Sequence, residues 1–287
     1  MTSLLLALGF LAGAPLAGGL LTGADRVLSA RMQKRIGPPL LQPFWDVAKL
    51  WGKESLIISR YQNLFLYCYL IFTVFTGVLF FTGGDFLILL FAFTLADLFF
   101  VLSGFVANSP YSHVGAEREL IQMMAEDPVI ILNSIGMYLA AGTFSVSGLL
   151  SFPRPLILYL PGLFLSYVFI LIMKLRKSPF DISMSAHAHQ ELVRGVVTDF
   201  AGRPLAVVEV AHWYENILLL AILFLFCASA PLVGIAMVLF VFFLMLVIDN
   251  AAARVKWRAA LKWCWVVTVA LGVLNIVLLP LILKWVK

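Results

Sequence analysis

FLILLFAFTLADLFFVLSGFV, residues 86–106, decides the fold class, because these 21 consecutive residues contain only one ionisable side chain, Asp97. A helix needs roughly 20 apolar residues to cross the hydrocarbon core of a bilayer. Similar apolar runs recur along the chain, in which 62% of the residues are hydrophobic and 12% are charged. Soluble domains carry about 25% charged residues, so the sequence predicts an all-α integral membrane protein.

The apolar runs predict about eight transmembrane helices in one polytopic domain, residues 1–287. The predicted spans cover residues 3–21, 64–82, 86–106, 128–150, 156–173, 205–228, 231–248 and 263–283. The first span has no basic segment before it, which distinguishes it from a signal peptide, so we expect it to be a retained helix.

Lysine and arginine are distributed unevenly among the loops between these spans. Loops 22–63, 107–127, 174–204 and 249–262 together hold 17 of the 20 basic residues. Because basic residues stay on the cytoplasmic side, these loops are predicted to be cytoplasmic and both termini non-cytoplasmic. The net charge of +5 therefore reflects membrane topology, and no nucleic-acid partner is indicated.

A cytoplasmic amphipathic helix is predicted directly after residue 40. Helical spacing places apolar side chains on one face and charged ones on the other: Leu41, Phe44, Trp45, Ala48 and Trp51 against Asp46, Lys49 and Lys53. A basic amphipathic helix with tryptophans lies at the headgroup level of a membrane. It acts either as a lipid anchor or as a docking surface. The preceding helix is expected to end at Gly37 and Pro38.

Several ionisable side chains fall inside the predicted spans. Asp97 lies near the middle of the third span, and Asp249 lies near the cytoplasmic end of the seventh. In the sixth span a polar stripe is formed by Glu209, His212 and Glu215 or Asn216. At a rise of about 1.5 Å per residue, Glu215 lies roughly 15 Å from Leu205, close to the midplane.

Such charges are costly in a membrane and normally mark an ion pathway, although helix–helix hydrogen bonding is the alternative. A row of carboxylates with a histidine suits proton relay, but sodium remains open. Asp127 is also acidic, and the sequence predicts that it caps a helix beginning at Pro128.

No metal or cofactor site is predicted in this chain. The three cysteines, Cys68, Cys227 and Cys264, are scattered and lack the close spacing of a metal or cluster site. His187 and His189 stand two residues apart, but two histidines alone rarely complete a metal site. Partner contact or proton uptake is the expected role of this pair.

Three cytoplasmic segments resemble one family, the membrane subunit shared by respiratory complex I and energy-converting NiFe hydrogenases. The first is ARMQKRIGPPLLQPFWDVAKL, residues 30–50, with Lys53 and Glu54. The second combines NSPY at 108–111, GAEREL at 115–120 and QM at 122–123. The third combines SPFDI at 178–182, QELVRG at 190–195 and TDFAG at 198–202.

Two features resemble the Ech-type hydrogenase branch of that family rather than complex I. The run between Pro38 and Leu41 is short, and AHAHQ at 186–190 replaces an acidic turn with a proline. EVAHWYE at 209–215 is also similar to the hydrogenase branch. His212 departs from the complex I relatives, which have a glutamate there.

The resemblance implies a non-redox membrane subunit in a prokaryotic cell membrane. It implies partners that carry the NiFe and iron-sulfur centres: cytoplasmic hydrogenase large and small subunits, a ferredoxin-like iron-sulfur subunit and an antiporter-like membrane subunit. The expected ion pathway comprises Asp97, Asp127, Glu191, Asp199, Glu209, His212, Glu215 and Asp249. The expected docking residues are Arg31, Gln33, Arg35, Gln42, Asp46, Lys49, Lys53, Glu117, Arg118, Glu119, Asp181, His187 and His189.

Asp127, Glu191 and Asp199 match acidic positions of the family, whereas the prediction for Asp97 depends only on its place in an apolar span. Two other functions remain open. One is a quinone-site subunit of complex I, which needs a quinone chamber between the first helices and the docking loops. The other is a stand-alone secondary transporter, for which internal repeats are expected.

Overall fold

The structure, a computed structural model, describes residues 2–54, 60–181, 183 and 194–286. Within these ranges the regular elements are helices, which confirms the predicted all-α class. The helices are α1 (Thr2–Met32), α2 (Gln42–Gly52), α3 (Arg60–Phe81), α4 (Phe86–Phe105), α5 (Pro110–Ala141), α6 (Val146–Leu150), α7 (Pro161–Lys174), α8 (Arg203–Leu225), α9 (Pro231–Ala251), α10 (Trp257–Val267) and α11 (Leu274–Val286). A π-helical segment, Thr268–Val273, joins α10 to α11.

Six helical stretches in the described ranges are long and apolar enough to cross a membrane. They are Leu4–Met32, Tyr61–Phe81, Phe86–Phe105, Arg203–Leu225, Pro231–Ala251 and Trp257–Lys284. These stretches coincide with six of the eight predicted spans, with differences of up to a few residues at the shared ends except where a helix extends further. The other two predicted spans fall on α5 and on α7 with the turn that precedes it.

Helix α5 corrects the prediction for the fourth span. The helix begins at Pro110, 18 residues before the expected start at Pro128, and ends at Ala141. Pro110 is at the first position, where its missing N–H costs no helical hydrogen bond. Pro128 lies inside the helix, so Asp127 does not cap it. Proline is favoured at the first position of a helix, which is why the sequence suggested a helix start at Pro128. Here α5 continues past Pro128 because it packs against α4 and α7.

Helices α1 and α7 also differ from the predicted spans. Helix α1 extends through the polar residues 22–32 and ends at Met32, so the expected end at Gly37 was wrong. Residues 22–32 are rich in helix formers, which hydropathy does not detect. The fifth span is interrupted, because a 3₁₀ turn at Leu156–Leu158 precedes α7, whose 14 residues are only about 21 Å long.

The predicted amphipathic helix is confirmed as α2. Trp45 and Trp51 are exposed, and Phe44 packs on Trp213 of α8 at a ring distance of 5.2 Å. Gly19 of α1 lets that phenylalanine approach, since an added Cβ would lie 2.4 Å from its ring. Helix α2 is therefore held between α1 and α8, with its tryptophan face outward.

The interior that positions the site is built by α3, α4, α5 and α8 together with the segment after α7. Helix α3 packs along α4, α4 packs on α5, and both α1 and α3 pack on α8. Gly115 of α5 lies against the short 3₁₀ turn Gly195–Val197, where a Cβ would be 2.5 Å from the Val196 nitrogen. This close approach holds the third cytoplasmic segment over α5.

Candidate functional site

Three cations lie within four consecutive positions at the end of α7: Lys174, Arg176 and Lys177. Arg176 has a φ of 52°, in the left-handed region that non-glycine residues rarely adopt. Such a conformation costs about 1–3 kcal/mol and persists only where surrounding contacts hold it. The turn sends the three side chains to three different groups of carboxylates.

The first group is the Lys174 cluster, which consists of Lys174, Asp97, Glu126 and Asp127. The Lys174 Nζ lies 2.5 Å from Asp97 Oδ2, 3.6 Å from Glu126 Oε2 and 3.9 Å from Asp127 Oδ1. The lysine, Asp97 and Glu126 are buried, and Asp127 is half-buried. Asp97 of α4 thus has Lys174 as its ionic partner. Asp127 also points to Lys174 and does not cap a helix.

The second group is the Arg176 cluster, which consists of Arg176, Glu119, Glu215 and Tyr69. Arg176 donates to Glu119 Oε1 from two nitrogens, at 2.8 and 3.1 Å, and its Nη1 lies 3.4 Å from Glu215 Oε2. Tyr69 of α3 donates to the same Glu215 oxygen at 2.7 Å. Ser183 donates to Glu119. Together the first two clusters place five carboxylates around two cations.

The third group is the Lys177 cluster, which ties the loop to α1 and α9. Lys177 pairs with Asp25 and lies 3.4 Å from Asp249 Oδ2. Asp249 also accepts a hydrogen bond from the Ser178 backbone N–H at 2.9 Å. This cluster borders a cavity of about 720 Å³ between α1, α8, α9 and the loop after α7.

The predicted stripe on α8 divides between this cavity and the interior. Glu209, His212 and Asn216 line the cavity, whereas Glu215 is buried and faces Tyr69 and Arg176. The His212 ring packs on Tyr69 and Phe100, at ring distances of 6.1 and 5.8 Å. Helix α8 therefore connects the cavity with the Arg176 cluster.

Three expected docking residues have charged partners within the chain. Glu119 belongs to the Arg176 cluster, Asp181 pairs with Arg254 at 3.1 Å, and Asp46 pairs with Arg26 at 2.6 Å. Burial raises the pKa of Asp46, but hydrogen bonds from Arg26 and Gln42 and the charges of Arg26 and Lys49 outweigh burial and lower it.

The other expected docking residues with described side chains lie at the surface or are half-buried. Arg31, Lys49, Lys53 and Glu117 are exposed. Gln33 donates to Asn250 at 2.8 Å and accepts from Arg35, and Gln42 donates to Asp46 at 2.8 Å. Arg118 is half-buried.

Among the described residues, Asp199 belongs to none of the three clusters. It is half-buried in the segment between Val197 and α8 and does not line the 720 Å³ cavity. His187, His189 and Glu191 lie outside the described residues.

Sequence reasoning missed the residues that organise the site. Lys174, Arg176, Lys177 and Glu126 have the pattern of loop or helix-end charges, and Tyr69 that of an apolar span. An available signal was the density of cations at the end of α7, because a buried, ionised carboxylate such as Asp97 is normally paired with a cation.

Metal ligation receives no support from the described residues. No group of three histidine, cysteine, aspartate or glutamate side chains among them has an arrangement that could hold a metal ion. Cys68, Cys227 and Cys264 are free thiols.

The comparisons with known proteins agree with this architecture. The model of a family described as NADH dehydrogenase matches residues 5–280. Hydrogenase-4 component C of Escherichia coli K12 is 30% identical over 207 residues, 66% of this chain and 64% of that protein. Formate hydrogenlyase subunit 4 of the same organism is 30% identical and covers 66% of both chains. The chain thus spans slightly less than two thirds of these two relatives.

A subunit of the NADH-quinone oxidoreductase of Aquifex aeolicus is 28% identical, over 71% of this chain and 69% of that protein. Among solved structures, a chain of the membrane-bound sulfane sulfur reductase, an archaeal respiratory membrane complex, has a TM-score of 0.80. That match covers 96% of this chain and 100% of the other at 21% identity, and it shows a shared fold.

Proposed function

The chain belongs to the NADH dehydrogenase family, and on this premise we propose that it is the docking and ion-coupling membrane subunit of an energy-converting NiFe hydrogenase complex. In this proposal, partner subunits oxidise ferredoxin and form hydrogen, or catalyse the reverse. This chain links their reaction to ion translocation and supplies no redox centre of its own. The NiFe and iron-sulfur centres belong to the partners.

The names of the relatives support the hydrogenase assignment. The two relatives at 30% identity are named as a hydrogenase component and a formate hydrogenlyase subunit, whereas the quinone oxidoreductase subunit is 28% identical. All three names describe parts of larger assemblies. We therefore expect hydrogenase large and small subunits, a ferredoxin-like subunit and an antiporter-like subunit as partners, in a prokaryotic cell membrane.

The observation that carries the ion-coupling proposal is the set of five carboxylates around two cations between α4, α5, α8 and the loop after α7. Charged groups among membrane helices are costly and normally mark ion pathways. Two cations cannot pair fully with five carboxylates. The excess carboxylates are suited to accept and release protons.

The loop after α7 gives this network a connection to the cytoplasmic surface. Lys174, Arg176 and Lys177 belong to three clusters but lie within four positions of one another. A partner that shifts the loop would change all three sets of ion pairs together. Because ion pairing alters the proton affinity of a carboxylate, redox-driven movement of a docked partner could drive proton release and uptake.

In this mechanism the 720 Å³ cavity is a hydrated entrance, with Glu209 and His212 on its wall. Protons pass from there to Glu215 and on to the Lys174 cluster. A cavity of this size could also hold a quinone head group, as the complex I alternative requires. Its charged lining, which includes Asp25, Arg26 and Lys177, favours water over a quinone with its apolar tail.

Purification of the native complex in mild detergent tests the proposal. We expect the hydrogenase subunits to accompany the chain and hydrogen formation from reduced ferredoxin to accompany the complex. Quinone-dependent turnover would favour the complex I alternative. Recovery of the chain alone would contradict docking and would favour the stand-alone transporter.

A charge reversal tests whether α2 docks the partners. The Lys49→Glu, Lys53→Glu double variant should lose the hydrogenase subunits, because both lysines are exposed, Lys49 on α2 and Lys53 directly after it. Lys284→Glu, an exposed change near the other end of the chain, should retain them. If both variants retained the hydrogenase subunits equally, α2 would not be part of the docking surface.

A further inference from the structure

Four buried oxygens around Lys174 receive no hydrogen bond within the described part of the chain. They are Asp97 Oδ1, Gln122 Oε1, Glu126 Oε1 and Asp127 Oδ1. Asp97, Gln122 and Glu126 are each at most 4% exposed. Most buried polar atoms are hydrogen-bonded, so four such oxygens in one place indicate a site built to hold a positive charge or a water molecule.

The positive charge in this site is the Lys174 ammonium. It donates to Asp97 at 2.5 Å, lies within 3.9 Å of oxygens of Glu126 and Asp127, and lies 5.0 Å from the centre of the Phe93 ring. An ammonium is a compact charge with three donors on a flexible stem. It therefore lies among the carboxylates of Asp97, Glu126 and Asp127 while remaining covalently attached to α7.

The space among these side chains is very small, although Lys174 also lines the 720 Å³ cavity. A cavity of about 10 Å³ is lined by side chains that include Asp97, Gln122, Glu126 and Lys174. A single water molecule needs about 10–15 Å³, so this cavity can hold at most one. A hydrated metal cation does not fit, and a bare one would have to bind carboxylates with which the ammonium already pairs, directly beside that charge.

We propose that Lys174 selects protons over sodium ions in this subunit, because its tethered ammonium takes the position that sodium would need. This inference rests on the proposed ion-coupling function, for which the ion was left open. A second cation at roughly 4 Å would be repelled strongly in a buried site. Protons can still move, since carboxylates and one water carry them without another cation.

The proton step conserves charge within the cluster. A proton that reaches Asp97 forms an O–H bond there and frees the ammonium. Glu126 carries a proton at the start; as the ammonium moves to it, 3.6 Å away, its O–H bond breaks and the proton passes to the single water molecule that the small cavity can hold. One proton enters, one leaves, and Lys174 stays charged throughout.

Sodium binding to the full-length chain in lipid nanodiscs tests the proposal without requiring partners or turnover. The wild-type chain should bind no radioactive sodium and show no rise in Tm when sodium replaces choline at constant ionic strength. Lys174→Met leaves three carboxylates without their cation. We expect that variant to bind sodium saturably, approaching one ion per chain, with a rise in Tm.

Further variants keep the test informative if Lys174→Met folds poorly. Lys174→Gln should also gain sodium binding, whereas Lys174→Arg, which keeps a cation, should behave like the wild type. Adding Asp97→Asn to Lys174→Gln should weaken sodium binding severalfold. Lys284→Met serves as the matched surface control.

Sodium binding by the wild type that Asp97→Asn removes would overturn the proposal. So would folded Met and Gln variants that bind no sodium. Neither result depends on whether the chain docks a hydrogenase, so failure of this inference is separate from failure of the proposed function.

Discussion

Two ion pairs of almost equal length show how differently the interior and the surface of this molecule use charge. Lys174 and Asp97 are 2.5 Å apart with side chains 5% and 6% exposed, and Arg26 and Asp46 are 2.6 Å apart with side chains 39% and 37% exposed. Water and salt screen the second pair but hardly reach the first. Burial, rather than distance, therefore separates the network from the surface pair.

The same comparison separates their roles. The Arg26–Asp46 pair fastens α2 to α1, and exposed pairs of this kind contribute about 0–1 kcal/mol. A buried pair is a poor stabiliser compared with apolar packing, but removal of one partner leaves a charge that has no compensation. Buried ion pairs therefore suit a site whose conformation changes when one partner gains or loses a proton or moves away.

The largest expected effect is that of Lys174→Met in sodium-free buffer. The change leaves three carboxylates without their cation, and breaking a buried pair costs about 3–5 kcal/mol. Thermal unfolding in nanodiscs should therefore show a clearly lower Tm. Lys284→Met, at the surface, should change stability by less than about 0.5 kcal/mol. Equal Tm values for the two variants would show that the Lys174 cluster is not electrostatically distinct from the surface.

A smaller effect is expected for Tyr69→Phe. This change removes the hydrogen bond from Tyr69 to buried Glu215, and an unsatisfied buried acceptor costs about 1–3 kcal/mol. Tyr67→Phe is the matched control, because Tyr67 is exposed on the same helix. If both changes lower Tm equally, the tyrosine hydroxyl does not support the network.

The smallest effect is expected for the Arg26–Asp46 pair at the surface, and it should be detected as a change in the attachment of α2 with pH. The pKa of Asp46 lies below its usual 3.8, so its contribution is present above that value and is lost as pH falls through the lowered pKa. Fluorescence of Trp45 and Trp51 from about pH 5 to about pH 3 should report loosening of α2. Asp46→Asn should remove that transition, and added salt should weaken the wild-type attachment. An identical acid transition in the variant would assign it to other groups.

Hydropathy was sufficient for the class of fold but not for the ends of its helices. Charges at residues 22–32 end an apolar run, yet α1 continues through them because a helix needs no apolar side chains once it leaves the membrane. Pro128 resembles a helix start, yet α5 passes through it. Both differences arise where packing or solvent, not local composition, decides the conformation.

The site was only half visible in the sequence. Asp97 and Glu215 stood out because each carboxylate lies in an apolar span, and the structure places both within ion-pair clusters. Lys174 and Arg176 were not predicted as site residues, because the positive-inside rule treats lysine and arginine near the end of a span as charges of a cytoplasmic loop. Their role depends on the turn at Arg176, which residue spacing does not reveal.

Ion translocation by the reconstituted complex tests the central claim most directly, with Glu215→Gln as the variant and Glu54→Gln, an exposed change, as the control. Hydrogen formation from a soluble electron donor and ion movement into vesicles are measured on the same preparation. The account predicts that Glu215→Gln retains hydrogen formation and loses translocation at least about tenfold, since a glutamine cannot exchange the proton. Unchanged translocation in Glu215→Gln, equal to that of Glu54→Gln, would contradict it.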